Sequence, residues 1–182
     1  MRELALHILD ILQNASEAGA TQVALTIDED EAADRLTITV RDNGRGMDEA
    51  TAARAINPFF TSRTTRHVGL GLPLLAAATE RAGGQLTLQS QPGVGTTVTA
   101  NFQLRHPDRQ PLGDMAATLL AFLLGEEKVN LHYVHRTAKD TFAFHTADIR
   151  AALGDDVEFG NPVVRQWLSE FLVEGEQTVT ID

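Results

Sequence analysis

The sequence predicts a two-layer α/β (α+β) sandwich, in which a mixed, mostly antiparallel sheet is covered on one face by helices. Two observations lead to this fold class. Segments with apolar residues at spacings of three and four alternate with pairs of segments in which every second residue is apolar. Along residues 1–105 the order is helix, hairpin, short helix, polar loop, helix and hairpin, which is typical of helices packed on one sheet.

The composition disfavours several functional classes. The 182-residue chain has a formal net charge of −10 and contains no cysteine. The acidic balance argues against a nucleic-acid or anionic-membrane surface, and the lack of cysteine excludes disulfides and thiolate metal sites. The sequence shows no signal-like start and no apolar run of membrane length, so we expect a soluble cytoplasmic protein with neither nucleic-acid nor membrane partners.

The first predicted helix carries polar side chains along one side. Its apolar residues between Leu4 and Ala15 form a broad face for burial, and Gly19 is placed to end the helix. The polar residues recur at spacings of three and four, which aligns them: His7, Asp10, Asn14 and Glu17. This stripe is either a solvated face or a row of site residues.

The stretch Asp42-Asn43-Gly44-Arg45-Gly46-Met47 follows the second strand of the first predicted hairpin, residues 21–28 and 36–42. Strand alternation places the Asp42 carboxylate on the buried face, where it needs a polar partner, and a base edge with an amino group would serve. Gly44 and Gly46 allow the backbone to approach a flat ligand closely. The same residues fit a surface Asn-Gly turn, so the stretch alone leaves both interpretations open.

A short helix over residues 49–56, with Asp48 as its cap, precedes a polar and basic segment. Residues 61–68 have no apolar periodicity, and we interpret them as a mobile loop. Gly69-Leu70-Gly71-Leu72-Pro73 ends this loop and opens a helix that stops at Gly83-Gly84. Backbone amides at such a helix start can hold phosphate oxygens. Strands over residues 85–89 and 97–104 complete the second hairpin.

The order of three motifs resembles the GHKL ATP-binding domain (Bergerat fold) shared by DNA gyrase B, the ninety-kilodalton heat-shock chaperone, MutL proteins and histidine kinases. The first motif is Asp10-Ile11-Leu12-Gln13-Asn14-Ala15, and the second is the glycine-containing stretch from Asp42 to Met47. The third comprises residues 57–63 followed by residues 69–72, and it looks more like the histidine-kinase form. The resemblance covers about residues 1–105.

The resemblance implies that the chain binds ATP and Mg²⁺. Asn14 would coordinate the metal, Asp42 would accept from the adenine amino group, and residues 57–68 would form a lid over the phosphates. The implied nucleotide contacts are Asn14, Asp42, Gly44, Gly46, Met47, Phe60, Thr61, Gly69, Leu70, Gly71, Leu72 and Thr97.

One position departs from the family pattern. The gyrase and MutL groups place a glutamate as general base where this chain has Asp10. Aspartate can do the same chemistry, but its side chain is shorter, and a base must approach the proton to within about 2.6–3.2 Å directly or through one water. We therefore expect slow hydrolysis or a water-bridged base.

The remainder of the chain predicts a second region. A polar linker over residues 106–113 leads into a small α+β region, residues 114–182, with a helix, a hairpin and two further helices. We expect this region to dock on the nucleotide-binding domain or on a partner and to perform no chemistry. His132, His135 and His145 lie on its hairpin, but the opposite strand parity of His132 and His135 disfavours a metal site.

Two functional classes remain open at this point. In the first, a stand-alone nucleotide module transfers the γ-phosphoryl of ATP to a separate protein, or hydrolyses ATP slowly to regulate it. In the second, ATP is a conformational ligand whose phosphates order the lid, and the ordered surface binds a partner. Either class implies a protein partner in trans; a redox enzyme of the hydrogenase type and a second copy of the chain are the candidates.

Overall fold

The computed structural model describes residues 3–56, 71–126, 128–154 and 158–180. Its strands are β1 (Gln22–Asp30), β2 (Arg35–Asp42), β3 (Gln85–Gln91), β4 (Gly95–Gln103), β5 (Asn130–Arg136) and β6 (Thr141–His145). They form a six-stranded sheet in the order β3-β4-β2-β1-β5-β6. Every neighbouring pair is antiparallel except β1 and β5, which are parallel. The predicted mixed, mostly antiparallel sheet is therefore confirmed.

The helices are α1 (Leu4–Glu17), α2 (Glu49–Ile56), α3 (Gly71–Arg81), α4 (Met115–Gly125), α5 (Thr146–Leu153) and α6 (Pro162–Val179). α1 contacts both α3 and α4, and α4 contacts α6, so these four helices form a layer on the sheet. None of the helices in the described ranges is long and apolar enough to cross a membrane.

Strand alternation separates the two faces of the sheet. Leu25 and Ile27 of β1 are fully buried and belong to the same apolar core as Leu12 of α1. Thr26, which lies between these two residues of β1, faces the other side of the sheet and pairs with Thr39 of β2. We call this second side the open face, because its side chains are polar and partly exposed.

α1 begins and ends through contacts with distant and local backbone. The N–H groups of Leu4 and Ala5 donate to the carbonyls of Pro111 and Leu112 at 3.0 and 2.7 Å, so the predicted linker satisfies amides at the helix start. Gly19 follows the helix with a positive φ of 78°, as expected for the residue that ends it. His7 differs from the predicted polar stripe, since it is buried beside the core with 2% of its surface exposed.

The C-terminal region shares the sheet and the core with the first region. β5 pairs with β1 in a register that runs from Gln22 opposite Asn130 to Asp28 opposite Arg136. One apolar cluster contains residues of α1, β1, α4, β5 and α6. The sheet and the apolar core therefore both include residues from before and after the predicted boundary at residues 106–113.

The predicted elements of this region are present. The hairpin of β5 and β6 turns at residues 137–140, and Asn161 caps α6 by accepting from the Val163 N–H at 3.0 Å. His132 and His135 point to opposite faces of β5, as their parity predicts, with His132 exposed and His135 buried. Among the described residues, no group of three His, Asp or Glu side chains could hold a metal ion.

A buried polar network joins β1, β5 and α6. The His135 ring lies 3.0 Å from Glu176 Oε2 through Nδ1 and 3.2 Å from Glu29 Oε1 through Nε2, and Tyr133 donates to Glu176 Oε1 at 2.7 Å. Burial lowers the pKa of His135, but the hydrogen bonds and charges of Glu176 and Glu29 outweigh it and raise the pKa to about 9. The imidazolium form donates from both nitrogens, which matches two carboxylate acceptors.

We expect the His135→Gln variant to lose stability in a pH-dependent way. Because the folded pKa of His135 lies above its ordinary value, its contribution is full below about pH 6.5 and is lost as the pH rises through 9. The free energy of unfolding, measured with urea, should differ between wild type and variant by on the order of 3 kcal/mol at pH 6, and this difference should nearly vanish at pH 9.5. His132→Gln, an exposed change on the same strand, is the control. A difference that stays constant with pH would contradict this assignment.

Candidate functional site

A cavity of about 470 Å³ opens between α1, the end of β2, α2 and the start of α3. Its walls combine apolar side chains with a few polar groups, which is typical of small-molecule sites. The lining residues include Ile11, Asn14, Ala15, Ala18, Asp42, Arg45, Gly46, Met47, Thr51, Leu72, Thr96 and Val98. The cavity therefore brings together residues from all three sequence motifs.

Asp42, the last residue of β2, lines this cavity. Its Oδ1 accepts a hydrogen bond from the Gly44 N–H at 2.8 Å, which fixes the carboxylate at the end of β2. Burial raises the pKa of Asp42 above its ordinary value, and the backbone N–H groups of Gly44 and Thr96 partly offset that effect. A carboxylate has about four acceptor positions, so capacity remains for a donor on a ligand.

Two glycines beside Asp42 are required by close backbone contacts. A Cβ on Gly44 would lie 2.9 Å from both Asp42 Oδ1 and the Ala18 Cβ. Gly46 has a φ of +64°, and a Cβ there would lie 2.0 Å from the Gln91 carbonyl oxygen. These contacts hold the glycine stretch between α1 and the β3–β4 turn, so a side chain at either position would disturb the cavity wall.

Asn43 and Ser90 anchor the same stretch to the sheet, and the sequence reasoning missed both. Asn43 Oδ1 accepts from the N–H groups of Thr21 and Gln22 at 2.9 Å, and the Met47 N–H donates to Ser90 Oγ at 2.8 Å. An Asn before a Gly indicates a turn but not the strand to which it binds. These contacts join residues that are distant in the sequence, so they could be identified only from the folded structure.

Asp10 and Asn14 lie one turn apart on α1, and Asp10 packs against the first residue of α3. A Cβ on Gly71 would lie 3.0 Å from Asp10 Oδ2, a tight contact that the carboxylate would have to relieve by moving a few tenths of an ångström. Burial raises the pKa of Asp10 above its ordinary value, and the nearby His7 partly offsets this. The arrangement places a carboxylate of raised pKa where the helix begins.

The structure does not bring every predicted contact into the cavity. Thr97 pairs with Arg41 on the open face, so strand alternation carries its side chain away, and its neighbour Thr96 lines the cavity instead. Thr96 Oγ1 lies 2.8 Å from Ser90 Oγ. Phe60, Thr61, Gly69 and Leu70, with the predicted lid over residues 57–68, lie outside the described residues.

Residues 2–106 match the family described as Histidine kinase-, DNA gyrase B-, and HSP90-like ATPase. The chain belongs to this family. The resemblance predicted from the three motifs is therefore confirmed, and family membership supports ATP binding.

Relatives in this ATPase family include sensor proteins. The chain is 44% identical over 92 residues to the sensor protein kinase FleS of Pseudomonas aeruginosa. This alignment covers 50% of this chain and 23% of FleS. It is 34% identical over 109 residues to a putative sensor protein of Shewanella frigidimarina, covering 59% of this chain and 17% of that protein. The chain thus spans less than a quarter of the length of either relative.

A solved structure shows the same fold at low sequence identity. The crystal structure of the N-terminal domain of a DNA repair protein superposes with a TM-score of 0.55 and 15% identity, covering 79% of this chain and 52% of that one. At this identity the likeness supports the ATPase fold alone.

Proposed function

We propose that the chain is a magnesium-ATP-binding protein of the histidine-kinase type that acts on a separate protein, either by transferring the γ-phosphoryl group or by slow ATP hydrolysis. The observation that carries the proposal is the cavity, in which Asn14, Asp42, Gly46 and Leu72 meet between α1 and the sheet. Membership of the ATPase family supports the ligand, and the sensor kinases among the relatives support the protein partner.

The residues present fit magnesium and an adenine nucleotide. Asn14 offers a hard amide oxygen on the cavity wall, and magnesium prefers oxygen ligands while keeping several waters. Asp42 offers an acceptor for the adenine amino group, and the bare backbone at Gly44 and Gly46 leaves room for a flat base. Bound magnesium would neutralise charge on the phosphates, while the Asp10 carboxylate would accept a proton near the start of α3.

A second function, a conformational switch, is favoured by the position of the cavity. Ala55 of α2 and Leu72 of α3 both line it, and the segment over residues 57–70 connects these two helices. A ligand in the cavity would therefore contact the helix on either side of that segment, and we propose that ATP controls the segment through these two helices. Partner association would then follow ATP binding without phosphoryl transfer.

We also propose that residues 114–182 perform no chemistry and dock on the nucleotide-binding region, residues 1–105. The parallel pairing of β5 with β1 and the packing of α4 against α1 support this role. The candidate partners remain a protein in trans, including a redox enzyme of the hydrogenase type.

Incubation of the chain with γ-labelled ATP and candidate partner proteins separates the two functions. Label transferred to a partner supports the kinase, and label released as phosphate supports the ATPase. ATP-dependent association without label on the partner supports the switch. If the chain neither retains ATP on a filter nor changes its association with ATP present, the proposal fails.

The Asp10→Asn variant should lose hydrolysis or transfer and keep ATP binding. The substitution removes the proton acceptor while retaining nearly the same size beside Gly71, and loss of a general base costs about 10²–10⁴-fold in rate. Phosphate release and calorimetric binding measure the two properties separately. Wild-type activity should also fall at acid pH as Asp10 becomes protonated, and because its pKa is raised the loss should begin above the usual range of a carboxylate. Equal phosphate release by both proteins would contradict the role of Asp10.

Asn14→Ala is the companion variant, one turn along the same helix. It should weaken ATP binding in the presence of magnesium and have little effect in its absence, since it removes an oxygen ligand for the metal. Asp10→Asn should lose turnover and keep ATP binding, whereas Asn14→Ala should lose magnesium-dependent binding. If neither variant changes binding or turnover, these residues belong to a solvated helix face.

A further inference from the structure

β6 is a terminal strand of the sheet, and it lacks the usual protections of an exposed edge. Its five residues, Thr141 to His145, include no Lys, Arg, Asp, Glu or Pro, and its pairing with β5 runs without a bulge. Folded proteins normally protect edges with charges, prolines or bulges, because unpaired main-chain groups attract other strands. The outer edge of β6 is therefore suited to pairing with another strand.

The hairpin geometry identifies the main-chain groups on that edge. The Thr137 N–H donates to the Asp140 carbonyl at 3.0 Å, so alternation along the antiparallel pair makes Phe142 and Phe144 the residues that bond to β5. The main-chain groups of Thr141, Ala143 and His145 then point outward. In agreement, the Thr141 N–H donates to Asp140 Oδ1 at 2.7 Å rather than to β5.

Aromatic side chains of α6 continue this edge in the helix layer. The ring of Phe171 lies 5.5 Å from that of Phe142 and 5.9 Å from that of Phe144. Trp167 stacks on Phe171 with ring centroids 5.3 Å apart and planes at 10°. Trp167 is nevertheless 42% exposed, and Val163, one turn earlier, is 78% exposed. We call Trp167 and Phe171, together with Val163 one turn before Trp167, the aromatic row.

The other sides of α6 are already used. Glu176 reaches His135 of β5, and Ser169 lies beside Leu120 of α4 in a shallow cavity. The aromatic row is on the side of the helix away from α4, so it lies beyond β6, where the sheet ends. An apolar row thus faces the same direction as an edge that has no strand partner among the described residues.

We propose that this edge and the aromatic row form the interface of a homodimer, in which β6 pairs antiparallel with β6 of a second copy. The twofold axis would pass beside Ala143, perpendicular to the sheet. Ala143 would then face Ala143 of the second copy, and Thr141 would face His145. An axis of this direction keeps both helix layers on the same side, so the two aromatic rows meet across it.

Self-complementarity favours a second copy over a different protein. In this register the Thr141 N–H would face the His145 carbonyl of the second copy. Neither group needs a new partner: the Thr141 N–H donates to Asp140, and the His145 carbonyl accepts from the first turn of α5, because His145 is the N-cap of that helix. The remaining outward groups pair with one another in about four hydrogen bonds. β6 and the aromatic row carry no formal charge, so two copies approach without repulsion there despite the net charge of −10.

Sedimentation velocity of the full chain tests the proposal, with Trp167 fluorescence as a second readout. Wild type should sediment as a dimer, and dilution should shift the emission of this single tryptophan to the red as it becomes exposed to water. Ala143→Glu and Ala143→Lys each place like charges together at the axis, and each should weaken the dimer by at least about tenfold. An equimolar mixture of the two variants should restore it.

The mixture also controls for misfolding, since two unfolded variants would not recover the dimer by mixing. Thr87→Glu, a matched charge on the opposite edge strand β3, should leave the dimer unchanged. Monomeric wild-type protein overturns the proposal, and so does a dimer that Ala143→Glu leaves intact. This inference does not depend on ATP binding, and it is tested without nucleotide.

Discussion

Replacing Asp42 by asparagine should weaken ATP binding by roughly ten- to a hundredfold, the range expected when a hydrogen bond to a charged group is lost. The carboxylate is held on the cavity wall by the Gly44 N–H, and an amide there would present a donor where adenine also presents one. Isothermal titration with ATP and GTP measures the effect. The loss should be larger for ATP, because Asp42 is proposed to bind the amino group that guanine lacks at that position.

The neighbouring threonines provide a matched control for this measurement. Thr96→Val changes a side chain on the cavity wall, whereas Thr97→Val makes the same change on the open face. We expect weaker ATP binding for the first variant and wild-type binding for the second. Unchanged ATP affinity in Asp42→Asn would remove the assignment of the cavity, whatever the threonine variants show.

A chain ending after Leu104 should lose cooperative folding. The truncation removes β5, so β1 becomes an edge strand, and it removes α4 from the side of α1. Leu119 and Phe122 of α4 are fully buried, and each large apolar side chain contributes about 1.5–3 kcal/mol when buried. Several such losses exceed the roughly 5–15 kcal/mol by which domains are stable. Thermal melting followed by circular dichroism measures the change.

A chain that lacks only residues 181 and 182 is the control for the truncation, and it should melt like the full chain. A fragment ending at Leu104 that melts cooperatively near the full-length temperature would show that residues 1–105 fold alone. It would then also be the better protein for nucleotide titrations, and the C-terminal region would act only through docking.

Local patterns predicted the parts of this structure that depend on neighbours in sequence. Alternation in β2 placed Asp42 with the core side, and helical spacing placed Asp10 and Asn14 on one side of α1. Asn14 lines the cavity and Asp10 lies one turn away, beside Gly71, because a helix turn fixes their spacing whatever packs around them. The motif residues that lie on regular elements are therefore the ones whose relative placement could be predicted from the sequence, and their roles in binding remain predictions.

Contacts between distant segments could not be predicted in the same way. Periodicity shows that β5 has a buried face but not that it pairs with β1, since strand partners depend on the whole topology. Thr97 was placed in the site through the family resemblance, and a shift of one residue along a strand exchanges the two faces. The network of Glu29, His135 and Glu176 spans three elements, so no single stretch of sequence contains its signal.

The pairing of β1 with β5 also affects how the chain is made. β1 is the first strand to be synthesised, but one of its edges stays open until β5, which begins at Asn130 opposite Gln22, has been made. At about 5–20 residues per second, that edge stays open for roughly 5–20 s of synthesis. During that interval the open edge of β1 is exposed to other nascent chains and to chaperones. A strand that is internal in the finished sheet is therefore an open edge in the growing one, and the rate of translation through residues 31–130 sets how long it remains so.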